Sequence, residues 1–237
     1  MTRRRFLADE LHGNIAVLTG QSATHLARVL RAHVGQEYEI AAGGSVRLGT
    51  ITSVSEDRVE FSLGDELESS PVTPITLVLA VFKFDRFEWA IEKATELGIA
   101  RIIPVIARRT DAHLAKAADK RVERWRRIAH EASQQSRRTH PPIIDHPRKL
   151  KDAVQTELTL KILLFESESD RSLRSILENS TAHSIILAVG PEGGWTDEEI
   201  QLFTDNGWIT ASLGPTILRA ETAAVAALAV VSATTLR

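Results

Sequence analysis

The stretch from Ile185 to Ala223 limits what this chain can fold into more than any other. An apolar run, Ile185 to Val189, ends in the turn Gly190-Pro191-Glu192-Gly193-Gly194 and is followed by a helical segment. A second apolar run, Trp208 to Leu213, ends in Gly214-Pro215 and leads into another helical segment. Two successive strand–turn–helix units of this kind specify an α/β sheet that exposes backbone amides at its strand ends, where small molecules bind. Thr196 and Glu199, three apart, predict a capping box at the start of the first helix, and Asn206-Gly207 predicts its end.

The glycines of the first turn let a ligand come close to the main chain, where a Cβ would block it. A phosphate site at such a turn normally brings Lys or Arg, or at least avoids acids. Here Glu192 lies inside the turn, and Asp197, Glu198 and Glu199 follow it. The turn is therefore poorly matched to a diphosphate. It suits a cofactor that is uncharged or cationic where it meets the protein, such as S-adenosylmethionine with its sulfonium. Composition alone favours a plainer reading, in which Glu192 is an exposed turn residue and the other acids complement the helix dipole.

At 237 residues the chain forms one large domain or two modest ones, and its 43% hydrophobic and 25% charged content is that of a soluble globular protein. It has no cysteine, which excludes disulfides and thiolate metal sites, and its 8 histidines show no metal-ligand spacing, so no metal is expected. Met1 to Arg5 is basic but no apolar stretch follows, and the longest apolar run is too short for a bilayer. A cytoplasmic protein is expected. The net charge of −2 conceals an uneven distribution: residues 101–151 carry 14 Lys and Arg against 5 Asp and Glu, whereas 152–237 carry 5 against 12. A positive middle between neutral and acidic segments fits a localised polyanion footprint; a solvated basic helix face fits it equally.

In chain order, residues 1–70 predict short strands (Asn14 to Leu18, Tyr38 to Ala42, Val46 to Val54, Val59 to Leu63) with a Gly43-Gly44 hairpin turn and one helix capped by Ser22 or Thr24. Together they suggest a small barrel. Gly64 to Pro74 is polar, acidic and proline-bounded, and reads as the domain boundary. Beyond it, strand Ile75 to Phe82, a helix ended by Gly98 and strand Ala100 to Ile106 predict a parallel sheet with covering helices. Lys83 and Arg86 at the first strand end fit RNA contacts, or equally a salt-bridge cluster with Asp85 and Glu88. Ala118 to Ser136 predicts a helix with Val122, Trp125, Ala129 and Ala132 buried and arginines outside, stopped by Pro141-Pro142. Leu158 to Phe165 predicts a further strand, with Glu166-Ser167-Glu168 as a third cofactor loop, and Glu221 to Leu236 a helix of small apolar residues that is buried or at a subunit interface.

Four separated blocks carry a resemblance: FKFDRFEWAIEKATELGI (82–99), EASQQSRR (131–138), GPEGG (190–194) and LGPTILRAETA (213–223). In that order they resemble the RsmE family, 16S rRNA (uracil-N3)-methyltransferases of the SPOUT class, over nearly the whole chain. The resemblance implies an α/β protein with an N-terminal PUA-like small β-barrel RNA-binding domain over 1–70. It implies a C-terminal SPOUT (α/β trefoil-knot) methyltransferase domain over 71–237. The knot enters through the resemblance alone, since chains rarely knot. The implied activity is S-adenosylmethionine-dependent methylation of N3 of a uridine in 16S rRNA, by a homodimer whose cofactor sites lie beside the C-terminal helix.

The resemblance also assigns residues. The cofactor falls to Glu166, Val189, Gly190, Pro191, Glu192, Gly193, Gly194, Leu213, Gly214, Ile217, Leu218, Arg219, Thr222 and Ala223. RNA falls to Arg3, Arg4, Arg28 and Arg31 in the first domain, and to Lys83, Arg86, Gln135 and Arg138 in the rest. Arg138 and Arg219 are the candidates for stabilising the uracil oxygens, with Glu192 or Glu221 receiving the N3 proton. One departure stands out: Thr216 replaces the arginine usual in LGPRILR, which implies weaker RNA binding or a cation borrowed from the basic helix. Two other readings differ in class. A Rossmann enzyme would need G-x-G-x-x-G after its first strand, which is missing, and a non-catalytic rRNA-binding module would leave two glycine loops without a ligand.

Overall fold

The computed structural model describes residues 4–67, 74–157 and 160–235. These fall into two compact units, Met1–Pro71 with Ser133–Pro141, and Val72–Ala132 with Pro142–Arg237.

In the first unit β1 (Arg5–Leu7), β2 (Glu10–His12), β3 (Ile15–Thr19), β4 (Glu37–Ala42), β5 (Ser45–Val54) and β6 (Arg58–Leu67) form one sheet in the order β1-β4-β5-β6-β3-β2. All pairs are antiparallel except β1 with β4. Gly43 and Gly44 have φ of +60° and +86°, so a turn with two left-handed central residues joins β4 to β5 and fixes their register. Leu18, Leu26, Ile40, Ile51 and Phe61 are fully buried beneath the sheet.

Two expectations fail here, and the helix takes an irregular course, for local reasons. Neither Ser22 nor Thr24 caps the helix: α1 (Gly20–Thr24) starts earlier, and its entry is held by the Asp9 carboxylate, which accepts the Thr19 amide at 2.7 Å. From His25 the helix widens into a π-turn, closed by the Leu30 amide on the His25 carbonyl at 3.0 Å, and Val29 is turned out to 66% exposure. Gly64 to Leu67, expected in the boundary segment, belong to β6, where Glu66 and Leu67 pair with Arg47 and Val46. A strand whose outward side chains are polar reads as a linker in composition. Residues 68–73 lie outside the described residues. The segment leaving the basic helix packs into this unit, with Gln134 Nε2 donating to Ser22 Oγ at 2.8 Å and Arg5 Nη1 to the Arg137 carbonyl at 2.6 Å.

In the second unit β7 (Ile75–Ala80), β8 (Arg101–Ile106), β9 (Ile143–Ile144), β10 (Arg148–Lys149), β11 (Leu160–Leu164), β12 (Ile185–Val189) and β13 (Ile209–Ala211) make one parallel sheet. The order is β10-β8-β7-β12-β11-β13, with β9 also on β8. Every residue of β7 and β12 is buried, which is why both read as unbroken apolar runs. Leu77, Leu79, Leu187 and Val189 face α2 (Phe84–Glu96), α4 (Val122–Gln135) and α8 (Ala220–Thr235). Val78, Ala80, Ile186 and Ala188 face α5 (Leu150–Ala153) and α7 (Asp197–Asp205).

Aromatic pairs fill both layers: Phe87 on Trp125 at 4.6 Å, and Phe203 between Trp195 at 5.0 Å and Trp208 at 4.9 Å. Burial of each such ring contributes about 1.5–3 kcal/mol towards holding the helical layers on the sheet. The basic helix is interrupted: α3 (Ala112–Ala118) passes through one tighter turn, Asp119–Arg121, before α4 begins. Its expected stripe of Val122, Trp125, Ala129 and Ala132 is buried. Leu158 and Thr159, expected at the start of β11, lie outside the described residues. A further helix, α6 (Leu173–Glu178), packs with α8, which buries Ala224, Leu228 and Val231 and leaves Thr222 and Ala229 exposed. Among the described residues no helix is long and apolar enough to cross a membrane.

Candidate active site

Because every strand of the second sheet runs the same way, the segments that follow β7, β8, β11, β12 and β13 all emerge at one edge. A cavity of about 570 Å³ opens there, within the usual range for a small-molecule site. Its walls are the ends of β11 and β12 with their loops, the loop from β13 to α8, and the first turn of α8.

The β12 loop is fixed by its own sequence. Thr196 Oγ1 accepts the Glu199 amide at 3.3 Å and Glu199 Oε2 accepts the Thr196 amide at 3.0 Å, completing the predicted capping box. Gly194 has φ of +73°, a left-handed conformation that glycine adopts without strain, and it packs against the Glu166 side chain of the β11 loop. Trp195 is buried beneath the loop, with an indole Nε1 that donates no hydrogen bond among the described residues.

Arg86, at the start of α2, lines the same cavity. Its guanidinium lies 3.9 Å from Glu192 Oε1 and 3.7 Å from Glu221 Oε1, so one cation serves both candidate proton acceptors. Glu192 is exposed on the loop, whereas Glu221 is buried at the start of α8, and its Oε2 atom has no hydrogen-bond partner among the described residues. Neither Asp85 nor Glu88 pairs with Arg86; Glu88 instead holds Arg124 at 2.8 Å and Arg121 at 3.6 Å.

Of the expected third loop, only Glu166 reaches the cavity. Glu168 turns back and accepts Thr210 Oγ1 at 2.5 Å, the Asp170 amide at 2.9 Å and Arg171 Nη2 at 3.0 Å. The Thr210 hydroxyl foremost, with these other donors, holds its carboxyl down at about 2. This knot of bonds shapes the loop that presents Glu166.

The cavity brings together all the residues expected at the cofactor except Thr222, which is exposed on α8 and does not line it. Arg219 and Thr216 line it and are exposed. Arg86, Leu164, Trp195 and Ser212 also line it and were not expected there. Leu164 and Trp195 directly adjoin the expected strand end and turn, a signal that was available. Lys83 is exposed just before α2. Gln135 and Arg138 belong to the segment that packs with the first unit, where burial lowers the Arg138 guanidinium to about 10. In that unit Arg28 pairs with Glu56, Arg31 is exposed with φ of +50°, Arg4 is exposed, and Arg3 lies outside the described residues.

Residues 68–232 match the sequence profile of the family described as RNA methyltransferase domain. The chain is 34% identical to ribosomal RNA small subunit methyltransferase E of Synechocystis, over 91% of its own length and 72% of that protein's. It is 32% identical to the protein of the same name from Bacillus subtilis, over 91% and 88% of the two chains. Among solved structures, it matches a ribosomal RNA small subunit methyltransferase E from Neisseria gonorrhoeae bound to S-adenosyl methionine, with a TM-score of 0.82 and 28% identity over 96% of this chain and 95% of that one.

The Glu168 knot gives a pH test. Its folded-state value of about 2 lies below the ordinary 4.5, so ionised Glu168 stabilises the fold above about pH 4.5 and that contribution is lost as pH falls towards 2. The stability difference between wild type and Glu168→Gln, measured by urea denaturation, is expected to be constant near neutrality and to narrow between about pH 4.5 and 2. A difference independent of pH would contradict the assignment.

Proposed function

The chain belongs to the RNA methyltransferase family that includes ribosomal RNA small subunit methyltransferase E, and on that premise we propose that it methylates N3 of a uridine in 16S rRNA, using S-adenosylmethionine. The observation that carries this reading is the cavity at the Gly190–Gly194 loop, rimmed by Glu166 and Glu192.

The residues fit the donor. Val189, Leu213, Ile217 and Leu218 offer apolar walls suited to a purine, and the glycine loop brings main-chain amides close. Two carboxylates beside that loop oppose a diphosphate and suit a cationic ligand. When bound, S-adenosylmethionine supplies an electrophilic methyl group on a positively charged sulfur. The protein's part is to present an unstacked uracil in line with that methyl and to handle the proton and charge of N3. We assign Arg219 and Arg138 to the uracil oxygens, where charge grows as N3 loses its proton. Glu192 or Glu221 takes that proton, and Arg86, in contact with both, sets their orientation.

The wider organisation follows from the same family membership. The first unit acts as a PUA-like barrel that binds RNA, an assignment supported by its small, mostly antiparallel sheet. The second is a SPOUT domain with a trefoil knot, supported by its parallel sheet and by a cavity at the strand ends. The open face of α8, with Thr222, Ala229 and Ala233 exposed, supports a homodimer through that helix. The setting is the cytoplasm, where rRNA is made and modified.

Two outcomes test the reading. Calorimetry is expected to show S-adenosylmethionine binding to the wild type, and Gly193→Val is expected to weaken it at least about 100-fold, or ~2.7 kcal/mol. Normal binding by that variant would remove the loop assignment. Mass mapping of rRNA from a strain lacking this protein is expected to show one small-subunit uridine without its methyl group. Wild type restores the methyl group, and Arg138→Ala restores far less while binding the donor normally; rRNA unchanged by the deletion would overturn the substrate assignment.

A further inference from the structure

We infer that Arg109 is a positioning residue that sets the shape of the Gly190–Gly194 loop before any ligand arrives, and that it is not one of the phosphate contacts its place in the basic segment suggests. The inference rests on the reading that this loop holds the methyl donor.

Arg109 projects from a turn that is itself pinned. The Thr110 hydroxyl accepts the Ala107 amide at 3.1 Å and donates to the Val81 carbonyl at 3.1 Å, while the Thr110 amide donates to the Ala107 carbonyl at 3.1 Å. The turn between β8 and α3 is thus tied to the buried residue that directly follows β7. From it Arg109 Nη1 donates to the Gly193 carbonyl at 2.6 Å and to the Trp195 carbonyl at 3.2 Å. The tie runs in both directions: Glu199, the capping-box acid of α7, accepts the Arg108 amide at 2.7 Å. Each loop binds the other's main chain through a side chain.

The sequence of the glycine loop is fitted to this clamp. A Cβ at Gly193 would lie 3.2 Å from Arg109 Cδ and 3.4 Å from its Cβ, so glycine there leaves room for the arginine stem. A loop rich in glycine and free of such ties samples many conformations, and ordering it on ligand binding would oppose affinity. The clamp removes that cost in the free protein. It also turns Arg109 Nη1 onto carbonyls, which leaves that nitrogen unavailable to a phosphate oxygen.

The test uses the full chain with S-adenosylmethionine as the probe, and a short RNA duplex with single-stranded ends as the polyanion. Wild-type binding of the donor checks the underlying reading, and its failure would overturn that reading and this inference together. If wild type binds, Arg109→Gln is expected to bind the donor at least about tenfold more weakly, ~1.4 kcal/mol, with RNA affinity and salt slope unchanged. In the donor-free protein its amides in 192–196 exchange hydrogen faster while the rest of the sheet is unaltered. Arg109→Lys, which can still reach one carbonyl, recovers part of the affinity. Unchanged donor affinity in Arg109→Gln, a reduced RNA salt slope, or faster exchange throughout the sheet would each overturn the inference.

Discussion

The parallel arrangement of the second sheet is the constraint on which the rest depends. Strands that run one way deliver their outgoing loops to one edge, and here those loops carry glycines, carboxylates and arginines from widely separated parts of the chain. Hydrophobic burial on both faces sets that arrangement without help from the loops. Val189 and Leu164 are buried core residues, yet each also forms part of the cavity wall. The loops are thus free to adopt shapes that serve a ligand, because the strands beneath them are held by packing.

Electrostatics then separates this edge from a nucleotide phosphate site. The acids of the glycine loop and of the start of α7 sit where a phosphate would otherwise be welcomed by amides and helix dipole. Two of the cations that reach the edge are engaged with protein groups, Arg86 with Glu192 and Glu221 and Arg109 with loop carbonyls, whereas Arg219 lines the cavity exposed. A cationic donor is compatible with such a rim. Arginines of the basic segment also have protein partners: Arg121 and Arg124 pair with Glu88 while remaining on the exposed side of their helical stretch.

Much of this was legible wherever the physics is local. Ile185–Val189 was placed to the residue, because a strand buried on both faces is an unbroken apolar run. The Thr196–Glu199 capping box and the Gly43-Gly44 turn are short-range devices with fixed spacing, and both stand where the sequence put them. Short strands such as Arg5–Leu7 and Glu10–His12 were not legible, since three residues carry no periodicity. The π-turn at His25–Val29 preserved helical spacing in sequence while breaking it in space. Arg109 meets Gly193 across 84 residues, and no local pattern records such a contact. The residues around Arg86 fit RNA contacts or a cluster with Asp85 and Glu88 equally; its partners, Glu192 and Glu221, come from other loops, which its own neighbourhood does not record.

The central claim is that the edge formed by residues 190–194 and 213–219 receives a methyl donor on a loop already shaped for it. A crystal structure of the full chain soaked with S-adenosylmethionine addresses it directly. The account expects the donor against those two segments, with the Arg109 bonds to the Gly193 and Trp195 carbonyls unchanged. Density for the donor elsewhere on the chain, or a glycine loop rebuilt around it with those bonds broken, would contradict it.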